Sequence, residues 1–207
     1  MGNKSILMSI KPEWVCKILN GEKTIEIRKK FPKDYVGWVY LYCTKGKPYL
    51  YDFRKLCAEF RTEKVKQKYF DNLILNGKVV ARFWCDKVEE IECVSVGDSD
   101  YGSLFADTEY QTETLSEKEL TQKSCLIPDE IFEYFDEDFD KIGYAIHISK
   151  LDVFEKPKEL KEFRPYQWGL YCAWTNCNCL FHTKEECENC QETHIQKAPQ
   201  SWCYVED

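Results

Sequence analysis

No apolar run in this sequence approaches the roughly 20 residues that a membrane-spanning helix needs, which argues against a membrane protein. Met1 to Ile10 carry only short apolar stretches flanked by Lys, so no signal peptide is readable and a cytoplasmic location is expected. There is no internal repeat and no low-complexity tract. Positive charge is in short supply: 29 Lys and Arg face 36 Asp and Glu, a net charge of −7. A chain of that balance is poorly suited to gripping long duplexes through many phosphates. What remains is 207 residues, 43% hydrophobic and 15% aromatic, enough for a real core in one domain with additions or two small ones.

The charge is unevenly spread. Residues 1–78 hold 17 Lys and Arg against 8 Asp and Glu, whereas residues 79–207 hold 12 against 28. A basic half beside an acidic half permits a local anion-binding surface. An uneven solvated surface is the plain alternative.

Cysteine is the residue in excess, with 12 in the chain. In a reducing compartment disulfides are rare. Cys16, Cys43, Cys57, Cys85, Cys93 and Cys125 are scattered singly among apolar residues and read as small buried hydrophobes. Cys172, Cys177, Cys179, Cys187 and Cys190 crowd together, with His182 among them. Cys187-x-x-Cys190 is the spacing that brings two thiolates to one metal. Four thiolates of this set suit tetrahedral zinc, with an iron–sulfur cluster or a loop of free thiols as the alternatives. The segment is poor in aliphatic residues, so a metal would supply order that packing does not.

Alternating apolar residues predict strands at 5–10, 24–28, 38–43, 144–149 and, as the longest, 78–91. Pro12 opens a helix whose apolar face is Val15, Ile18 and Leu19, and Asn20-Gly21 stops it. Residues 53–70 read as a basic helix, and residues 95–114 as a loop. Ser116-x-x-Glu119 has the form of a capping box, and Pro128–Phe135 reads as a short helix. A strand at Leu151–Phe154, a helical turn at Pro157–Phe163 and a closing strand at Trp202–Val205 complete the reading. Short helices among separated strands indicate an α+β fold around a curved sheet.

Ser9, Lys11, Lys23, Glu26 and Arg28 fall on two consecutive strands or at their ends. Ile25 and Ile27 point inward, and Thr24, Glu26 and Arg28 share the other face. Such a set can polarise a carbonyl, act as a base and fork onto a phosphate or carboxylate. An exposed Glu26–Arg28 pair of little energetic weight is the plain alternative.

Ser9-Ile-Lys-Pro12 followed by Gly21-Glu-Lys-Thr-Ile-Glu-Ile-Arg28 resembles the G-x-K-x-x-E-x-R signature of ASCH domains, in the PUA-like superfamily. Gly77-Lys-Val-Val-Ala-Arg-Phe83, Tyr144-Ala-Ile-His-Ile-Ser149 and Phe154-Glu-Lys-Pro-Lys-Glu-Leu160 are similar to later stretches of that family. Ala198-Pro-Gln-Ser-Trp-Cys-Tyr-Val205 is similar to the ending of its phage and prophage members. The resemblance implies a small PUA-like mixed β-barrel with peripheral helices over residues 1–165, with a basic helical insertion at about 44–77. Residues 166–207 then form a Cys-rich, zinc-binding segment and a closing strand.

The resemblance also implies binding of RNA or single modified nucleotides. Some members are ribonucleases, and some small relatives are amidohydrolases acting on N4-acetylcytidine. Lys23 matches the lysine those amidohydrolases use, but their nucleophilic threonine, three residues later, is Glu26 here. Binding is therefore the first expectation, with Lys23, Arg28 and Lys11 holding a phosphate or base edge, Glu26 accepting from an exocyclic amine, and Trp38, Tyr42 or Trp84 stacking a base. The second is a hydrolase acting on RNA or an acylated nucleoside, with Glu26 as base and Lys23 stabilising negative charge. His147 is a conceivable acid, but a lone strand histidine is more often structural. A third is a phage factor that docks on a host protein.

Overall fold

The computed structural model describes residues 4–51, 74–95, 108–136, 143–166 and 194–207. The architecture is α+β, as expected. The chain parts into two compact units, one of residues 1–16, 37–83 and 151–207, the other of residues 17–36 and 84–150.

The first unit is built on a mixed five-stranded sheet. Its strands are β1 (Lys4–Ile10), β3 (Gly37–Cys43), β4 (Val79–Cys85), β8 (Leu151–Lys158) and β9 (Trp202–Glu206), in the order β8-β4-β3-β1-β9. β1 and β3 run parallel, with Leu7 opposite Tyr40, whereas β1 and β9 are antiparallel, with Leu7 opposite Cys203. The central strands are apolar at nearly every position because both of their faces are covered, as β1 shows with six successive buried residues. One apolar cluster of this unit gathers Leu7, Tyr40, Tyr42, Val79, Phe163, Ile195 and Val205.

The second unit carries an antiparallel sheet in the order β2-β7-β5-β6, from β2 (Ile25–Arg28), β7 (Gly143–His147), β5 (Val88–Ser95) and β6 (Thr108–Gln111). Two helices belong to it, α2 (Glu117–Ser124) and α3 (Pro128–Tyr134). The capping box is formed: Glu119 accepts from both the N–H and the hydroxyl of Ser116. Ile25, Ile27, Ile91 and Ala145 from the sheet meet Leu120 and Ile131 from the helices, and Phe135 just past α3, in one core. Helix α1 (Pro12–Leu19) buries Val15 and Ile18 as its periodicity predicts. Among the described residues no helix is long and apolar enough to cross a membrane.

Three expectations need correction. The run 78–91 is two strands, not one: β4 ends at Cys85, and β5 begins at Val88 in the other sheet. Two polar residues, Asp86-Lys87, suffice for the switch. Residues 108–111, read as loop, pair with β5, Tyr110 lying opposite Cys93 and burying its ring. Pro157 sits in β8 rather than starting a helical turn; β8 is an edge strand, where a missing N–H is tolerated. The turn itself is a short 3-10 helix, Leu160–Glu162. The basic helix read at 53–70 lies outside the described residues, as do the five clustered cysteines.

Candidate functional site

The chain leaves α1 through Gly21, whose φ of 75° is the left-handed conformation that ends a helix. Thr24 N–H then donates to the carbonyl of Lys123 at 2.9 Å, drawing this segment along the end of α2. Lys23 Nζ donates to the carbonyl of Ser124 at 2.6 Å. The last carbonyls of a helix lack internal partners and carry partial negative charge, so a buried ammonium is well placed there. The same Nζ lies 3.4 Å from Glu26 Oε2, while Arg28 Nη2 lies 3.0 Å from Glu26 Oε1. Lys23, Glu26 and Arg28 thus form the group that their spacing predicts.

Their setting differs from an open cleft. The side chains of Lys23, Glu26 and Arg28 are 2%, 7% and 12% exposed. The exposed surface pair of the plain alternative is therefore ruled out. Glu26 Oε2 is buried and accepts no hydrogen bond among the described residues, despite the nearby ammonium. Ser9 and Lys11 belong to the other unit. Ser9 Oγ donates to the carbonyl of Pro199 at 2.7 Å, and Lys11 is exposed. Of the stacking candidates, Tyr42 is a core residue, and Trp38 carries the Arg82 guanidinium 4.2 Å from its ring centroid.

A second charged group, missed by the sequence reading, lies in the same sheet. Glu89, 1% exposed, accepts from Thr112 Oγ1 at 3.0 Å and from the N–H and hydroxyl of Thr114 at 3.0 and 2.8 Å. Lys87 Nζ stands 3.2 Å away and His147 Nε2 2.6 Å away. Burial pushes the Glu89 carboxyl up, but the donors from Thr114, Thr112, Lys87 and His147 outweigh it and hold the pKa at about 2. Glu89 is therefore ionised at neutral pH and can only accept, so His147 Nε2 carries the hydrogen between them. A sequence signal did exist. Alternation along Val88-Glu-Glu-Ile91 puts Glu89 on the face of Ile91, and a charge on a core face calls for partners.

Beside Glu89 lies a cavity of about 530 Å³ lined by Lys33, Glu89, Glu90, Glu92, Thr112 and Glu113. Its four carboxylates against one ammonium disfavour a phosphate there. No group of three or more His, Cys, Asp or Glu residues suited to a metal occurs among the described residues.

No protein-family model matches this chain, and no curated protein does. Among solved structures it is similar to the ASCH protein of Zymomonas mobilis, at 16% identity and a TM-score of 0.43, over 98% of this chain and 88% of that one. Two variants of that protein are similar as well. For a serine-to-alanine variant the values are 16% and 0.44, over 76% and 78% of the two chains. For a tyrosine-to-phenylalanine variant they are 15% and 0.42, over 99% and 92%.

Proposed function

We propose that this chain binds RNA or a single modified nucleotide through Lys23, Glu26 and Arg28, as an ASCH-type protein of the phage and prophage kind. The observation that carries the reading is Glu26. Its Oε2 is a buried acceptor with no hydrogen bond among the described residues. Leaving such an acceptor unfilled costs on the order of 1–3 kcal/mol, which an exocyclic amine or ring N–H of a base would recover. Lys23 and Arg28 flank it and supply the donors that a phosphate or base carbonyl needs. The resemblance of Gly21–Arg28 to the ASCH signature supports the same assignment, and the ending at 198–205 supports the phage kind. Calorimetric titration with single-stranded RNA and a panel of modified nucleosides tests it. Binding with modest salt dependence is expected, because few cations reach the ligand. Absence of binding across the panel overturns the reading.

For the cysteine segment we propose a structural zinc held by four of Cys172, Cys177, Cys179, Cys187 and Cys190. The thiolate number and the Cys187-x-x-Cys190 spacing support it. Elemental analysis of protein prepared without chelator should find about one zinc per chain, lost in Cys187→Ser or Cys190→Ser. Metal-free protein from that preparation overturns it.

A further inference from the structure

Directly opposite residues of antiparallel strands project to the same side of a sheet. In the four-stranded sheet, Ile27, Ala145 and Glu89 share the face that packs on the helices. Glu26 and Arg28 share the other. There Glu26 is opposite Ile146, which is opposite Val88, and Arg28 is opposite Tyr144, which is opposite Glu90. Two rows therefore cross this face. The first is closed where Glu26 and Ile146 are buried. The second is partly exposed at Arg28, Tyr144 and Glu90 alike. A ligand that reaches Glu26 along this face comes in over the second row, and Tyr144 stands at its centre. Tyr144 is the only aromatic residue of β2, β5 and β7. Its side chain makes no hydrogen bond, ring contact or cation–π contact among the described residues, whereas Trp38 carries the Arg82 guanidinium. Arg28, its cross-strand neighbour, is turned to Glu26. Glu26 is the diagonal neighbour, at roughly 7–8 Å, still within reach of an aromatic ring.

We propose that Tyr144 is the platform on which the base of the bound nucleotide stacks, with the base edge turned to Glu26 and the phosphate on the Arg28 side. The proposal rests on the nucleotide-binding reading and names the residue that holds the base in it. The stacking candidates Trp38, Tyr42 and Trp84 belong to the five-stranded sheet, so none of them shares a sheet face with Glu26. The charges on either side of the Tyr144 ring set the direction of the ligand. Arg28 attracts a phosphate, whereas Glu90 belongs to the acidic cavity and repels one. The two contacts divide the work. Every base has a π-face, so the ring supplies affinity whatever the base. The unfilled Glu26 oxygen then favours bases that bring an N–H to their edge.

The test uses the full chain with AMP, CMP, GMP, UMP and N4-acetylcytidine 5′-phosphate, and with ribose 5-phosphate, which carries no base. Tyr144→Leu should weaken nucleotide binding by about 10-fold or more. Its affinity for ribose 5-phosphate should stay within about twofold of the parent's, a split that a merely structural role would not give. Tyr144→Phe keeps the ring and should stay within about twofold of the parent for every probe. Independently of any variant, the NMR signals of the Tyr144 ring protons should move upfield when a nucleotide is added to unaltered protein, and stay in place with ribose 5-phosphate. Nucleotides that bind Tyr144→Leu as well as the parent, a loss shared by ribose 5-phosphate, a 10-fold loss in Tyr144→Phe, or unmoved ring signals under bound nucleotide overturns the proposal and leaves the binding reading intact. If none of these nucleotides binds, the proposal falls; the binding reading falls with it only where the single-stranded RNA and the nucleoside panel fail to bind as well.

Discussion

Glu26 and Glu89 are two buried carboxylates in one four-stranded sheet, and they are treated in opposite ways. Their strands meet β7 at adjacent residues, Glu26 opposite Ile146 and Glu89 opposite Ala145, so the pleat sends them to opposite faces. Glu89 has donors from four residues and an ionised state held far below the ordinary range. Glu26 has two cations and one oxygen with no hydrogen bond. Equal burial therefore does not mean equal purpose. A saturated carboxylate holds elements together, and an incompletely satisfied one is the natural place for a ligand.

The largest expected effect comes from the saturated partner. Glu89→Ala strips four residues of a buried acceptor and should lower stability by about 3–5 kcal/mol, read from urea unfolding. A loss under about 1 kcal/mol would put both carboxylates in the same class. The pH dependence follows next. The Glu89 pKa falls from an ordinary 4.5 to about 2 on folding. The contribution, about 3 kcal/mol, is present in full above pH 4.5 and is lost as pH drops through 2. Urea midpoints between pH 6 and 2 should show this slope in the parent and a flatter one in Glu89→Gln.

Gly143→Ala separates carboxylate loss from general core damage. A Cβ at Gly143 would collide with the buried Phe135 ring, costing about 1–3 kcal/mol. The acid slope assigned to Glu89 should survive that change. On the other face, Arg28→Ala should weaken RNA or nucleoside binding by about 1–3 kcal/mol in calorimetry. Unchanged affinity would remove Arg28 from the site. The smallest effect is a control far from both groups: Ser116→Ala loosens the cap of α2 and should cost about 1 kcal/mol in thermal unfolding without altering ligand affinity.

The Lys23–Glu26–Arg28 group was legible because its members sit within six residues, so local geometry alone brings them together. Glu89 was not, because its donors arrive from positions 25 and 58 residues away, and only the pairing of β5 with β6 and β7 assembles them. The strands of the five-stranded sheet were readable from alternation and apolar content. The split between β4 and β5 was hidden because the break at Asp86-Lys87 is only two residues long and carries no Gly, Pro or Asn to mark a turn. β6 was missed because Thr-Glu-Tyr-Gln offers one apolar residue, and burial of Tyr110 in the helix-covered core outweighs the weak local preference.

The pairing of β1 with β9 has a consequence in time. Leu7 lies opposite Cys203, so the two strands that complete one side of the five-stranded sheet are made far apart in time. During translation at roughly 5–20 residues per second, β1 waits about 10–40 s for its neighbour, with one row of backbone donors and acceptors unpaired. Until β9 emerges, that row is an open edge on which another strand can dock. Removal of β9, Trp202–Glu206, would leave the edge open permanently, turning a finished sheet into a template for aggregation.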